Sequence, residues 1–97
     1  MNKTELIERL AEQCDFSRKD AKNAVEALFA TDLRNGIIAT ALENGEKVQI
    51  TGFGAFELRH RKARVGRNPR TGEPIQIAAS RVPAFSAGKS FKDRYQA

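Results

Sequence analysis

The clearest chemistry in this sequence lies in a run of basic residues with no Asp or Glu among them. Its cations are Arg59, Arg61, Lys62, Arg64, Arg67 and Arg70. The alternative interpretation is a solvated charged strand, but a strand that serves solubility usually mixes charges of both signs. A cluster of one sign fits a polyanion such as a nucleic-acid backbone better. We therefore predict a phosphate-binding surface here.

Pro69 lies inside this run, with Arg67 and Asn68 before it and Arg70 after it. A proline at such a position is often only a turn former. A rigid apolar residue between cations can also enter a base-pair step, while the cations hold phosphates or line the minor groove. The local sequence leaves both interpretations open.

The positive charge is concentrated in the second half of the chain. Residues 1–50 contain seven Lys or Arg and nine Asp or Glu, whereas residues 51–97 contain ten and three. The whole chain of 97 residues has a net charge of +5. This distribution predicts a near-neutral scaffold joined to a polyanion-binding surface. A chain this short also favours a dimer, because its own core is thin.

Catalytic and metal chemistry find little support in the sequence. His60 lies between two arginines, and no Ser, Cys or carboxylate is placed to work with it. Cys14 continues an apolar stripe from Leu6 and Leu10, so we expect a small buried side chain rather than a nucleophile. A nuclease needs clustered carboxylates, but those of the basic half are well separated: Glu57, Glu73 and Asp93. We therefore expect no enzymatic activity, cofactor or metal. We also expect a cytoplasmic location, because the sequence has neither a signal peptide nor an apolar run of about 20 residues.

The first part of the chain predicts a helical hairpin. Two residue pairs are typical of helix starts: Asn2 with Glu5, and Ser17 with Asp20. The apolar residues of the second helix step by four, as Ala21, Val25, Phe29, Leu33, Ile37 and Ala41. A stripe with this spacing rotates about 40° per step around a straight helix. We therefore expect a kink, bulge or break near Asn35-Gly36, and an end at Asn44-Gly45.

After residue 45 the apolar period changes to two, which is typical of antiparallel strands with one wet face. The alternating pairs are Val48 and Ile50, Phe56 and Leu58, and Ile75 and Ile77. The turn signal Asn68–Gly72 predicts a hairpin folded about Arg70. The expected cross-strand pairs are Val65 with Ile75 and Ala63 with Ile77. The basic residues then lie on one two-stranded arm, residues 59–79, and a short basic helix follows Gly88.

The segment Gly52–Phe56 combines two glycines with two aromatic rings. It predicts a strand with a bulge or sharp bend, because glycine permits close backbone approach. Phe53 and Phe56 are an odd number of residues apart, so they would point to opposite faces of a regular strand. With Phe85, we expect them to supply an aromatic core that is shared across a dimer.

Three stretches of the chain resemble the HU/IHF-type family of bacterial histone-like DNA-binding proteins. The most specific stretch, residues 52–75, reads GFGAFELRHRKARVGRNPRTGEPI. The others are MNKTELI at residues 1–7 and RVPAFSAGKSFKD at residues 81–93. The resemblance covers essentially the whole chain and is closer to HU. The sequence departs from the family pattern around residues 31–42, where the interval before the GFG motif is several residues longer.

The resemblance implies an α+β fold, with a helical hairpin base, an antiparallel β-sheet, a long β-hairpin arm and a short C-terminal helix. It implies an intertwined dimer with Phe53, Phe56 and Phe85 in its core. A homodimer is expected, and a heterodimer is the alternative. The chain would be a single domain, with residues 1–45 as the helical dimerisation part and residues 46–97 as the sheet, the arm and the last helix.

The resemblance also implies a nucleoid-associated protein that bends double-stranded DNA with little sequence specificity, and so compacts or stabilises it. Bent, nicked or distorted duplex would be preferred, and Pro69 would intercalate at the tip of the arm. The implied DNA-binding residues are Lys3, Arg59, Arg61, Lys62, Arg64, Gly66, Arg67, Asn68, Pro69, Arg70, Thr71, Arg81, Lys89 and Lys92. One alternative is a sequence-preferring bender of the integration-host type. Another is an RNA-binding module, although the arm contains no aromatic residue for base stacking.

Overall fold

Helices make up the first part of the fold and strands most of the second. The computed structural model describes residues 1–32 and 35–96, which form two units, Met1–Asn44 and Gly45–Ala97. The first unit contains α1 (Lys3–Cys14), α2 (Arg18–Phe29) and α3 (Ile37–Glu43). The second contains β1 (Val48–Ile50), β2 (Gly54–Arg61), β3 (Arg64–Arg67), β4 (Pro74–Ile77), β5 (Ser80–Ala87) and α4 (Lys89–Asp93). These elements confirm the predicted α+β class, and among the described residues every helix is too short or too polar to span a bilayer.

Side chains cap the first two helices at the predicted residues. The Oδ1 atom of Asn2 accepts a hydrogen bond of 2.9 Å from the backbone N–H of Glu5. The hydroxyl of Ser17 accepts one of 3.0 Å from the backbone N–H of Asp20. Both bonds satisfy N–H groups that the start of a helix leaves unpaired. The helical region ends with Asn44 as the C-cap of α3, also as predicted.

A small apolar core holds α1 against α2. It consists of Ile7, Ala21 and Val25, with Leu10 and Ala11 packed against it. Full burial of a side chain such as Val or Ile contributes about 1.5–3 kcal/mol. A core of this size is thin for a chain of 97 residues.

Cys14 is exposed, so the prediction of a buried cysteine is wrong. It is the last residue of α1 and lies next to the turn that leads into α2. The core side chains of α1 are Ile7, Leu10 and Ala11, whereas Leu6 is 39% exposed, so the stripe that carries Leu6 and Cys14 lies beside the face that packs on α2.

The second helical segment is interrupted, as its rotating apolar stripe predicted. α2 ends at Phe29, and α3 begins at Ile37. Between them, Gly36 has a φ of 88°, in the left-handed region that favours glycine. A Cβ at this position would collide with the carbonyl oxygen of Ala30. Leu33, a member of the predicted stripe, lies outside the described residues.

Two antiparallel ladders form the second unit. The three-stranded sheet has the order β1-β2-β5, and β3 pairs with β4 in a separate two-stranded sheet. β2 and β5 pair as far as Arg61 opposite Ser80, and β3 and β4 resume the pairing at Arg64 opposite Ile77. The arm is therefore one hairpin, whose ladder is interrupted for two residues on each strand.

The register of the arm differs from the prediction by one residue. The partners of Ile75 and Ile77 are Gly66 and Arg64, rather than Val65 and Ala63. Val65 instead lies opposite Gln76. Because successive side chains of a strand point to opposite faces, Val65 lies on the face opposite to the two isoleucines.

The turn at the end of the arm explains this shift. The backbone N–H of Asn68 donates to the carbonyl of Glu73 at 2.8 Å, which leaves the four residues Pro69–Gly72 in the loop. A loop of four residues places the centre of the hairpin between two residues. Folding about Arg70 itself would require a loop with an odd number of residues, so the predicted pairs were displaced.

Four phenylalanine rings pack together in the second unit. Ring centroids are 4.9 Å apart for Phe56 and Phe85, 5.5 Å for Phe53 and Phe85, and 4.6 Å for Phe53 and Phe91. The expectation that Phe53 and Phe56 point to opposite faces is therefore wrong. Phe53 precedes β2, and the glycines on either side of it, with φ of 83° and 158°, redirect its ring onto the cluster.

Candidate nucleic-acid interface

The ladder between β2 and β5 separates an apolar face from a polar face. The apolar face carries the cross-strand pairs Phe56 with Phe85 and Leu58 with Pro83. The side chains that alternate with Phe56 and Leu58 along β2 point to the other face, which we call the polar face. It carries Glu57, Arg59 and Arg61. The aromatic cluster thus fixes the sheet from one side, while the charged side chains project from the other.

Glu57 is the acidic centre of the polar face, and no motif in the sequence marks it as a functional residue. Its carboxylate lies 3.4 Å from Nε of Arg59 and 4.0 Å from Nζ of Lys47. Arg59 also donates to the hydroxyl of Ser86 at 3.5 Å. The sequence did contain a signal of the contact with Lys47, because this lysine directly precedes β1, the strand that pairs with β2. It could be used only once the register of β1 and β2 was known.

The arm presents exposed apolar side chains beside its cations. Arg64 and Gly66 share one face with Ile75 and Ile77, whereas Val65 lies on the other. The exposed fractions are 61% for Val65, 43% for Ile75 and 37% for Ile77. A Cβ on Gly66 would come within 2.8 Å of Cδ1 of Ile77, so the glycine leaves room for that isoleucine. Cations beside apolar side chains suit a groove whose walls are sugars and phosphates.

The tip of the arm is a turn closed by hydrogen bonds, with Pro69 exposed at its second position. The Oδ1 atom of Asn68 accepts from the N–H of Arg70 at 2.9 Å, and its carbonyl accepts from the N–H of Gly72 at 2.7 Å. The guanidinium of Arg67 donates to the carbonyl of Gly72 at 3.2 Å. Asn at the first position and Pro at the second are preferred in type I turns. The turn therefore fixes where the proline ring is presented.

Most of the predicted site residues lie on one hairpin. The exposed ones are Arg59, Arg61, Lys62, Arg64, Arg67, Pro69, Arg70, Thr71 and Arg81, and the half-buried ones are Gly66 and Asn68. Lys89 and Lys92 are exposed on α4 of the same unit. Lys3 belongs to α1 in the other unit, where its ammonium group pairs with Glu26.

The hairpin also carries the single histidine of the chain. His60 is exposed and lies opposite Arg81 in the ladder. Within residues 1–32 and 35–96, no group of three or more His, Cys, Asp or Glu side chains is arranged to hold a metal ion. The arm is therefore exposed, cationic and partly apolar, and hydrogen bonds hold its tip.

Comparisons with proteins of known sequence agree on one family. The family model described as "Bacterial DNA-binding protein" matches residues 1–96. The chain is 56% identical over 93 residues to DNA-binding protein HU 1 of Bacillus subtilis (strain 168), covering 96% of this chain and 95% of that protein. It is 55% identical over 93 residues to DNA-binding protein HU of Staphylococcus aureus (strain COL), covering 96% and 97%.

Solved structures of similar fold give the same result. A cocrystal structure of Anabaena HU with DNA has a TM-score of 0.79 and 45% identity, and the similarity covers 99% of this chain and 98% of that one. A mutant of HU from Thermotoga maritima has a TM-score of 0.65 and 35% identity, with coverage of 99% and 100%. The sequence match and the shared fold both extend over nearly the whole chain. The chain therefore belongs to the HU/IHF family of bacterial DNA-binding proteins.

Proposed function

We propose that this protein is an architectural protein of double-stranded DNA. It binds with little sequence specificity, places its arms in the minor groove and bends the duplex by intercalating Pro69. The observation that carries the proposal is an exposed basic arm that ends in a proline held by a hydrogen-bonded turn. The similar HU of Anabaena, which is crystallised with DNA, supports it.

Neutralisation of phosphates supplies most of the affinity in this proposal. The cations of the arm lie along one exposed hairpin and follow a phosphate backbone: Arg59, Arg61, Lys62, Arg64, Arg67 and Arg70. Lys3, Arg81, Lys89 and Lys92 add backbone contacts outside the arm. Each phosphate neutralised on duplex DNA steepens the dependence of log K on log salt by about 0.9. Contacts of this kind read no base edges, so sequence preference is weak.

Insertion of the Pro69 ring supplies the bend. Unstacking a base step costs a few kcal/mol, which is offset because the bent duplex contacts more of the protein. A nick or a distortion lowers the cost of bending, so such duplexes bind more tightly than intact ones. The hydroxyl of Thr71 accepts a hydrogen bond within the turn that carries the inserted ring, and Gly66 leaves room for Ile77 on the arm. Because bending makes and breaks no covalent bond, we propose that the protein acts stoichiometrically, compacting and stabilising DNA in the nucleoid, and not as an enzyme.

We also propose that the binding unit is a homodimer. In the described residues the buried hydrophobic side chains are Ile7, Ala21, Val25 and Leu42, which is a small core for an independently stable chain. Large apolar side chains remain exposed in both units: Leu28 at 41%, Phe29 at 49%, Ile37 at 62%, Phe53 at 44% and Phe85 at 40%. A second copy of the chain would cover them. Sedimentation equilibrium is expected to give twice the chain mass of 10.8 kDa.

A salt-titrated binding assay tests the proposed function. It uses an intact and a nicked duplex of the same sequence, each labelled with a fluorophore at both ends. We expect tighter binding to the nicked duplex, a steep salt dependence and a shorter end-to-end distance in the complex. Equal affinity without a change in that distance would contradict bending, and preferential displacement by single-stranded RNA would indicate the RNA-binding alternative.

A matched pair of variants tests the role of the arm in this assay. Arg64→Ala removes an exposed cation of the arm, and Arg9→Ala removes an exposed cation of α1. Arg64→Ala is expected to reduce the salt slope by about 0.9 per chain, since one phosphate contact is lost. Arg9→Ala is expected to leave the slope unchanged.

A further inference from the structure

We propose that Asn68 is the positioning residue of Pro69, and that its side-chain oxygen holds the tip in the shape that presents the ring to a base step. This inference rests on the proposed function and deepens it. It gives Asn68 a role within the protein, where the sequence had indicated a contact with DNA.

Asn68 makes three hydrogen bonds across the turn. Its N–H donates to the carbonyl of Glu73 at 2.8 Å, and its carbonyl accepts from the N–H of Gly72 at 2.7 Å. These two bonds use backbone atoms, so any residue other than proline can make both. The third bond, from the N–H of Arg70 to Oδ1 at 2.9 Å, needs a side-chain acceptor at this position. The half-buried position of Asn68, next to the exposed Pro69, agrees with an inward-facing role.

The third bond restrains the torsion that sets the direction of the proline ring. The ring fixes φ of Pro69 at about −65°, so its direction relative to the arm follows from the preceding rotation, ψ of Asn68. The bond from the N–H of Arg70 to Oδ1 of Asn68 closes a ring of atoms that contains this rotation, and the bond from Gly72 to the Asn68 carbonyl holds it as well. Loss of the side-chain acceptor leaves the rotation to the backbone bonds alone and widens the range of directions of the ring.

Other contacts keep the turn closed independently of this side chain. The guanidinium of Arg67 donates to the carbonyl of Gly72 at 3.2 Å, and the hydroxyl of Thr71 accepts from the N–H of Glu73 at 3.3 Å. A variant without the Asn68 amide should therefore keep its arm and its fold. The expected defect is confined to the presentation of Pro69.

The test measures bending of the nicked, end-labelled duplex at saturating protein, so that affinity does not enter the result. Four proteins are compared: the wild type, Pro69→Ala, Asn68→Ala and Asn68→Ser. Serine keeps an acceptor oxygen and is also favoured at the first position of such turns, but it lacks the amide donor. Asn23→Ala, in the exposed part of α2, is the matched control, and circular dichroism verifies that each variant is folded.

We expect Asn68→Ala to show a smaller change in end-to-end distance than the wild type, because removal of one hydrogen bond lowers the ratio of ordered to disordered tip by about two- to tenfold. Asn68→Ser is expected to bend DNA as the wild type does. A loss in both Asn68 variants would assign the effect to the amide donor and overturn the inference.

The remaining outcomes separate this inference from the proposed function. Wild-type bending by Asn68→Ala, together with a loss in Pro69→Ala, overturns the positioning role alone. Wild-type bending by Pro69→Ala overturns the intercalation itself, and the role of Asn68 falls with it.

Discussion

Replacement of Glu57 by Gln is expected to tighten the binding of duplex DNA. Glu57 lies on the polar face and pairs with two cations, Arg59 and Lys47. A phosphate that approaches this face meets a carboxylate and must compete with it for both cations. The amide of Gln has no charge, so the variant removes the repulsion and releases the two cations.

The size of the effect follows from the two ion pairs. Exposed pairs contribute about 0.2–1 kcal/mol each, so giving up both on binding costs roughly 0.4–2 kcal/mol per chain. The Glu57 side chain is 35% exposed, and its carboxylate lies 3.4 Å and 4.0 Å from the two cations. Solvent therefore screens both ion pairs in part. Since about 1.4 kcal/mol corresponds to a tenfold change, the affinity should rise about two- to thirtyfold for each chain that contacts the duplex. The salt slope should steepen by about 0.9 for each additional phosphate neutralised.

Fluorescence anisotropy with an intact duplex at several salt concentrations measures both quantities. Glu8→Gln is the matched control, because Glu8 pairs with Arg18 at 3.0 Å in the helical unit and loses the same charge. The control is expected to change affinity much less than Glu57→Gln does. If Glu57→Gln weakens binding instead, then Glu57 acts by orienting Arg59 toward DNA and the competition argument is refuted.

Two further substitutions test the packing and capping of the fold by chemical denaturation. Gly54→Ala should lower the free energy of unfolding by about 2 kcal/mol or more, because its Cβ would lie 2.5 Å from the carbonyl oxygen of Ser86 and 2.6 Å from the ring of Phe85. Gly45→Ala, whose Cβ meets nothing within 4 Å, has only the backbone strain of its φ of 83° and should cost less, and equal losses would contradict the proposed clash. Ser17→Ala should lower the free energy of unfolding by about 1 kcal/mol through loss of the α2 cap. Asn23→Ala, in the interior of the same helix, should stabilise slightly, and a neutral Ser17→Ala would mean that the cap does not contribute.

Features set by neighbouring residues were predictable from the sequence. The caps at Asn2 and Ser17 bind N–H groups three residues ahead, so local spacing was enough. The interruption before Ile37 followed from the drift of a stripe in steps of four and from Gly36. The strands of the sheet followed from their apolar alternation.

Features set by distant residues were not predictable in the same way. The register of the arm depended on whether the loop after Asn68 contains four residues or an odd number, and an error of one residue moved Val65 to the other face. The exposure of Cys14 depended on which face of α1 packs against α2. The contact of Lys47 with Glu57 required the pairing of β1 with β2. The roles assigned to the arm residues in DNA binding remain predictions.

The most direct test of the account is the bend that the protein imposes on a nicked duplex, compared between the wild type and Pro69→Ala at saturating concentration. The distance between fluorophores at the two ends is the measured quantity. We expect the wild type to draw the ends together and Pro69→Ala to leave them close to the distance in free DNA, while its affinity falls less than about tenfold because the cations of the arm are retained. An equal shortening by both proteins would contradict intercalation by Pro69.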